Sequence, residues 1–410
     1  MKHHLQKRVF SFFIAALFST TLSAQGWWFR KADYNQTART AAVGFSVGTA
    51  GFIGTGYDST SYKRNFSLYS QSADNWTGVT SLGGATGSGL SRDAASSFVI
   101  GSKAYVGLGQ SSIPYNLDFW EYDAGADVWT QKANFGGTPR RSAVGFTLNS
   151  QGYFCCGQDN TGFKNDLWMY DPSSNTWASK APYPGTARRL AVAFTIGTKA
   201  FVGTGDDGTF KNDFFKYDAA SNAWYTVAPF AGTPRYGATC FVIGTDGYVG
   251  TGYDNTLSNR KDFWKYNSIT NTWSAIKDFS GGVRSNAVGF TIGSYGYVGT
   301  GYDTVPTKDF WMYDPLSNGI EELDKFRSSV KIYPNPMIDN AIIAFDPASL
   351  NAFGRISFEL YDINGRLVKT ISKIESSETQ LERDNLGNGI YIYKFIGDNT
   401  LLASGKIILQ

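Results

Sequence analysis

Histidine is missing from the body of this chain: the only two, His3 and His4, stand at its very start. Without imidazole neither a Ser-His-Asp triad nor a histidine-ligated zinc site can be assembled. Glutamate is almost as scarce, because between Gln25 and Gly319 there is one, Glu121. It shares a strand column with Met169, Lys216, Lys265 and Met312 and reads as exposed strand surface, so acid–base work would fall to Asp, Tyr, Arg or Lys. Cysteine amounts to Cys155, Cys156 and Cys240, an odd count with a vicinal pair, which is no disulfide framework. All three fill small-residue strand positions, which suits buried small hydrophobes rather than redox or metal chemistry, and the sequence does not set their oxidation state. No metal and no cofactor is expected.

Long apolar runs are also lacking once the start is set aside. Residues 1–24 carry Lys2, Lys7 and Arg8, then an apolar stretch from Val9 to Phe18, and Ala24 before Gln25, the pattern of a secretory signal peptide. No later run approaches the ~20 residues of a membrane span. No cysteine follows the cleavage site, so a lipid anchor is not indicated. Of 37 basic side chains three leave with the leader, and the remaining 34 balance 34 acidic ones. A neutral chain argues against nucleic acid as a partner.

What is abundant is glycine, 46 residues, and aromatics at 16%. They recur in a unit seen clearly from Arg235 to Trp273: an Arg six residues before a Phe in a β-branched run, a Gly-Thr-Gly segment, Asp-Phe-Trp-x-Tyr, and a polar turn ending in Asn-Thr-Trp. Such short alternating runs between Gly, Asp and Asn clusters predict four antiparallel strands. Phe45, Phe98, Phe146, Phe194, Phe241 and Phe290 mark six copies, each preceded by Arg39, Arg92, Arg140, Arg188, Arg235 or Arg284. A period near ~50 with four strands per unit predicts a propeller blade. Five units end in a strand opened by Trp76, Trp129, Trp177, Trp224 or Trp273, whereas the sixth stops at Asp314-Pro-Leu-Ser-Asn-Gly. Trp28-Phe-Arg-Lys-Ala-Asp-Tyr supplies the missing strand, so the start of the chain should latch its last blade beside Asp309 to Tyr313 and remove two free edges.

These motifs resemble the kelch repeat proteins from Trp28 to about Pro315, with Gly-x-Gly or Cys-Cys-Gly where that family has a Gly-Gly pair. The copper radical oxidases of this fold need histidine ligands, which this chain cannot offer. After Asn318 the repeat gives way to a charged linker and then to Lys331-Ile-Tyr-Pro-Asn-Pro, Asn364-Gly-Arg, Gly389-Ile-Tyr-Ile-Tyr and Gly405-Lys-Ile-Ile-Leu-Gln. That tail resembles the C-terminal sorting domain of the Bacteroidetes type IX (Por) secretion system, which implies export through that machinery and cleavage in the linker. The expected architecture is all-β: leader 1–24, a six-bladed kelch-type propeller over 25–318 closed by its N-terminal strand, linker 319–327, and a small Ig-like β-sandwich over 328–410.

Strand parity puts the long, variable connections on one face, where binding is expected. The Arg, Asp, Tyr and Trp columns recur with the fold and read as packing and pairing between blades. Asp58, Asp159, Asp207, Asp254 and Asp303 read as turn residues, and Gly203-Thr-Gly-Asp-Asp-Gly is a propeller strand rather than a dinucleotide loop. Positions just after each Arg do vary: Thr40, Asp93, Arg141, Arg189, Tyr236 and Ser285. The loops add Tyr57, Tyr62, Tyr115, Phe163, Phe210, Tyr253 and Tyr302. Ligand binding is assigned to Asp93, Arg141, Arg189, Tyr236, Tyr57, Tyr115, Phe163, Phe210, Tyr253 and Tyr302, with no catalytic residue. Aromatic faces with charged neighbours suit glycan or peptide ligands. The expectation is a secreted or surface-attached, non-catalytic module recognising glycan or protein. A mutarotase-, epimerase- or lyase-like enzyme using Asp, Tyr and Arg is the alternative, and a purely structural surface protein a third.

Overall fold

The computed structural model describes residues 26–84, 91–111, 115–317, 326–347, 353, 355–397 and 400–410. The leader and the linker as far as residue 325 lie outside these. Strands form where the sequence alternates: in Val288–Ile292 the side chains of Val288, Phe290 and Ile292 are buried and those between are half-buried. Among the described residues the repeats give six four-stranded antiparallel sheets. Their first strands are Val43–Val47, Ser96–Ile100, Val144–Leu148, Val192–Ile196, Thr239–Ile243 and Val288–Ile292. Each first strand lies beside that of the next sheet, and the sixth lies beside the first.

Sheet six takes its outer strand from the other end of the repeat region. Trp27–Lys31 pairs antiparallel with Phe310–Asp314, placing Trp28 opposite Tyr313. The register is that of Tyr266 opposite Trp273 in sheet five and Tyr217 opposite Trp224 in sheet four. Trp28 is wholly buried, its ring 4.9–5.0 Å from those of Phe279, Phe263 and Tyr313. Its neighbour Trp27 points the other way, against Phe353 and the core of the C-terminal unit, with Lys277 over its ring.

Among the described residues no strand ladder runs from one of these sheets to the next, so each sheet stays open, and the joints are made by connecting segments. The indole of each outer-strand Trp donates to a backbone carbonyl before its sheet: Trp28 to Lys277, Trp76 to Ala32, Trp129 to Thr80, Trp177 to Ala133, Trp224 to Ala181 and Trp273 to Ala228. The repeated arginines make a second joint. In sheets two to six the buried guanidinium holds an Asp of its own sheet: Arg92 with Asp118, Arg140 with Asp166, Arg188 with Asp213, Arg235 with Asp262, Arg284 with Asp309. In sheet one Arg39 meets Asn65 instead. The arginines' own pairing between sheets lies in their main chain: Gly56, Gly109, Gly157, Gly205, Gly252 and Gly301 donate to the carbonyls of Arg92, Arg140, Arg188, Arg235, Arg284 and Arg39. A Cβ at Gly157 would meet the Arg141 carbonyl at 2.9 Å, and φ there is +101°, so the position needs glycine.

The C-terminal unit has a three-stranded sheet (Lys331–Tyr333, Asn340–Ala344, Glu378–Glu382) and a four-stranded one (Leu367–Ile371, Ile356–Tyr361, Gly389–Gly397, Thr400–Leu409). They share a core in which Ile343 and Leu381 meet Phe358, Leu360, Phe395 and Ile407.

Two expectations change on contact with the structure. Glu121 is not free strand surface: it is half-buried and accepts from the Tyr105 hydroxyl at 2.7 Å, because its column faces the neighbouring strand's aromatic. Asp58, Asp159, Asp207 and Asp254 accept turn amides through their carboxylates, whereas Asp303 engages Val305 through its backbone in a tighter loop.

Candidate functional site

The second residue after each Arg is forced into left-handed backbone geometry. Ala41, Ala94, Ser142, Leu190, Gly237 and Asn286 have φ between 48° and 60°. For residues with a Cβ that conformation costs about 1 kcal/mol each, and a common task explains it. The amide of Ala94 donates to Ala41, Ser142 to Ala94, Leu190 to Ser142, Gly237 to Leu190, Asn286 to Gly237 and Ala41 to Asn286, at 2.8–3.2 Å. The circuit closes on itself and runs in one sense around the axis. Just inside it, Ala42, Ala95, Ala143, Ala191, Ala238 and Ala287 border two axial cavities of about 130 and 220 Å³. Only a small side chain fits where six strands converge.

Just outside this circuit stand the varying residues, one per sheet. Thr40 pairs with Tyr57, Asp93 with Gln110, Arg141 with Gln158, Arg189 with Asp206, Tyr236 with Tyr253 and Ser285 with Tyr302. Each sheet thus sends a short two-armed loop to the mouth of the axial channel, and six different loops surround it.

Over sheets two to four these side chains join into one polar chain. Arg141 donates to Gln110 and, at 3.3 Å, to Gln158; Arg189 donates to the same Gln158 oxygen at 2.9 Å and twice to Asp206 at 3.1 Å. Tyr115 and Phe163 lie under the two guanidinium groups, at 5.4 and 5.5 Å. Over sheets four and five the surface turns aromatic: Tyr236 lies 5.0 Å from Phe210 and 5.5 Å from Tyr253. Tyr57 and Tyr62 form a third group, 5.3 Å apart. Tyr302 stands apart, 39% exposed.

Asp93 differs from the other carboxylates of this face. Burial pushes its pKa up to about 6, although the Arg141 charge beside it pulls the other way. By contrast Asp159 and Asp254, which are buried more deeply, are held well below the usual carboxylate range, because Thr, Lys or Arg donors outweigh their desolvation. Asp93 lacks such donors: its Oδ1, the Thr40 Oγ1 and the Arg141 Nε are buried atoms without a hydrogen-bond partner among the described residues. Burial also raises Tyr62, with Asp93 next in effect.

Gln110, Gln158 and Asp206 were not expected here. They occupy the column of Tyr57, Tyr253 and Tyr302, one residue after the Gly that pairs with the next Arg, and that shared position was the available signal. No group of three or more metal-ligating side chains is found among the described residues. Cys155 and Cys156 lie buried with their sulfurs 3.4 Å apart, and burial pushes the Cys155 thiol up, away from reactivity.

Residues 331–410 match the family model of the secretion system C-terminal sorting domain. No curated protein matches the chain. Among solved structures, one titled "Structure of YjhT" superimposes with a TM-score of 0.57 at 16% identity, covering 68% of this chain and 95% of that one. Identity that low speaks for the fold alone. No helix among the described residues is long and apolar enough to cross a membrane. The sorting domain marks the protein as cargo of the type IX secretion machinery, and it is secreted or attached to the cell surface.

Proposed function

We propose that the six sheets are the blades of a kelch-type propeller spanning 25–318, latched by the Trp27–Lys31 strand, with an Ig-like sorting unit over 328–410. Its loop-face mouth is a non-catalytic recognition surface for a glycan or protein ligand, presented outside the cell after export. One observation carries this reading: buried, unpartnered hydrogen-bonding atoms of Thr40, Asp93 and Arg141 gather beside aromatic rings where six variable loops meet. Unmet polar atoms are costly in a fold, and a ligand that supplies partners accounts for their retention. Glycan arrays and pull-downs with the full chain test it; clean negatives in both refute it.

A second reading has an observation of its own. The raised pKa of Asp93, beside Arg141 and Tyr62, is the setting in which a carboxyl exchanges protons near neutral pH. An epimerase- or lyase-like carbohydrate enzyme then requires turnover that Asp93→Asn abolishes.

A further inference from the structure

Resting on the recognition reading, we infer that the mouth binds an uncharged saccharide unit through two neighbouring hydroxyls, one donating to the Asp93 carboxylate and one accepting from the Arg141 guanidinium. The Asp93 Oδ1, the Thr40 Oγ1 and the Arg141 Nε lack partners among the described residues, whereas the two Nη atoms of Arg141 are engaged by Gln110 and Gln158. A carboxylate only accepts, a guanidinium only donates, and the Thr40 hydroxyl does either. Asp93 and Arg141 are half-buried, and the Asp93 carboxylate takes no hydrogen bond from any other described residue.

Charge then narrows the ligand. Arg189 is already matched by two hydrogen bonds to Asp206, and Arg141 faces Asp93, so the four charges cancel. An anionic ligand gains from Arg141 but is repelled by Asp93; a cation gains from Asp93 but is repelled by both arginines. A pair of hydroxyls, each donor and acceptor at once, uses both groups without leaving a charge unmatched. The Tyr57–Tyr62 pair offers aromatic surface to the C–H side of a sugar, while one face of the Tyr115 ring is already taken by Arg141. An extended peptide also turns the N–H and C=O of a single residue to one edge, and it is the competing ligand that the experiment must exclude.

The groups facing Asp93 are Arg141 from sheet three and Tyr62 from the loop of sheet one. The Asp93 carboxyl, with its pKa pushed up to about 6, takes its proton between pH 7.5 and 5, so a pH dependence that Asp93→Asn abolishes reports on it.

The experiment uses the full chain and immobilised starch, mannan and galactan as neutral probes, polygalacturonate as the acidic one, and a random peptide library. The expected result is binding to at least one neutral polymer at pH 7.5, weakened tenfold or more by Asp93→Asn and several-fold at pH 5 in the parent protein only. Tyr225→Ala, on an outer strand, leaves binding unchanged, and a thermal melt of Asp93→Asn shows it folded. Binding confined to polygalacturonate or to peptides, or neutral-glycan binding indifferent to Asp93→Asn, overturns the inference while leaving a recognition face standing. Binding to none of the probes overturns both.

Discussion

Asp118 grips the buried guanidinium of Arg92 with both carboxylate oxygens, at 2.8 and 2.6 Å. The main chain of the same Arg is bonded on both sides to the preceding sheet, its carbonyl by the Gly56 amide and its amide to Lys63. The ion pair therefore fixes a residue that joins two sheets. Asp118→Ala strands a buried charge and is expected to cost about 3–5 kcal/mol, read as a lowered urea midpoint. Asp118→Asn should cost clearly less, because sheet one holds Arg39 with Asn65 in the corresponding place, through one hydrogen bond from the guanidinium.

Acid should open the ring of sheets. Burial alone would raise the carboxyls of Asp118 and Asp166, but hydrogen bonds and charge from Arg92 and Arg140 prevail and hold both below the usual range. Asp309 is likewise depressed, by Arg284. A depressed carboxyl contributes stability that is complete above its unfolded pKa, about 4, and is lost as pH falls through the folded value. Thermal melts at pH 7, 5 and 3 should show little change over the first interval and a large fall over the second.

Asp93 carries the opposite sign. Its pKa is raised, so the native state binds more protons than the unfolded one between about pH 4 and 6, and its presence destabilises increasingly as pH rises through that window. Asp93→Asn should therefore raise the melting temperature at pH 7.5, by an amount that vanishes below about pH 4. An unchanged melting temperature at pH 7.5 would show that the carboxylate is well solvated.

Trp28→Ala removes a fully buried indole and its 3.1 Å hydrogen bond to Lys277. The expected cost is about 3–5 kcal/mol. Amide exchange should accelerate first along Phe310–Asp314, the strand that Trp27–Lys31 covers.

Deletion of residues 331–410 removes the matched sorting domain. Cell fractionation should then find the protein retained inside the outer membrane rather than in the medium or on the surface.

Much of this was legible from spacing. The outer strand of sheet six is the segment around Trp28, which the sequence marks because five units end in a Trp-opened strand and the sixth does not; burial of so large a ring is dictated by the repeat. The site was legible only in part. Arg141 and Arg189, which vary where the repeat does, share Gln158, and Tyr236 lies against Phe210 and Tyr253, while Tyr302 is joined to Ser285 through the main chain. Gln110 and Gln158 carry no signal in the sequence because an amide side chain announces no chemistry alone; Gln158 bridges Arg141 and Arg189, held on different sheets, and Gln110 accepts from Arg141. Arg-x-x-Ala is present in all six units, yet nothing in one sequence says that those alanines face an axis.

The circuit of amides from Ala41 to Asn286 has an electrical consequence. Peptide dipoles aligned along a helix add up and give its ends a sign; here the six amide-to-carbonyl bonds lie head to tail around a closed loop, so their components in the plane of that loop offset one another. The circuit therefore has no positive and negative end within that plane. The side chains on that rim differ from sheet to sheet over one unchanging backbone circuit, so the pattern of charge offered to an approaching ion is written by the residues that follow the six arginines.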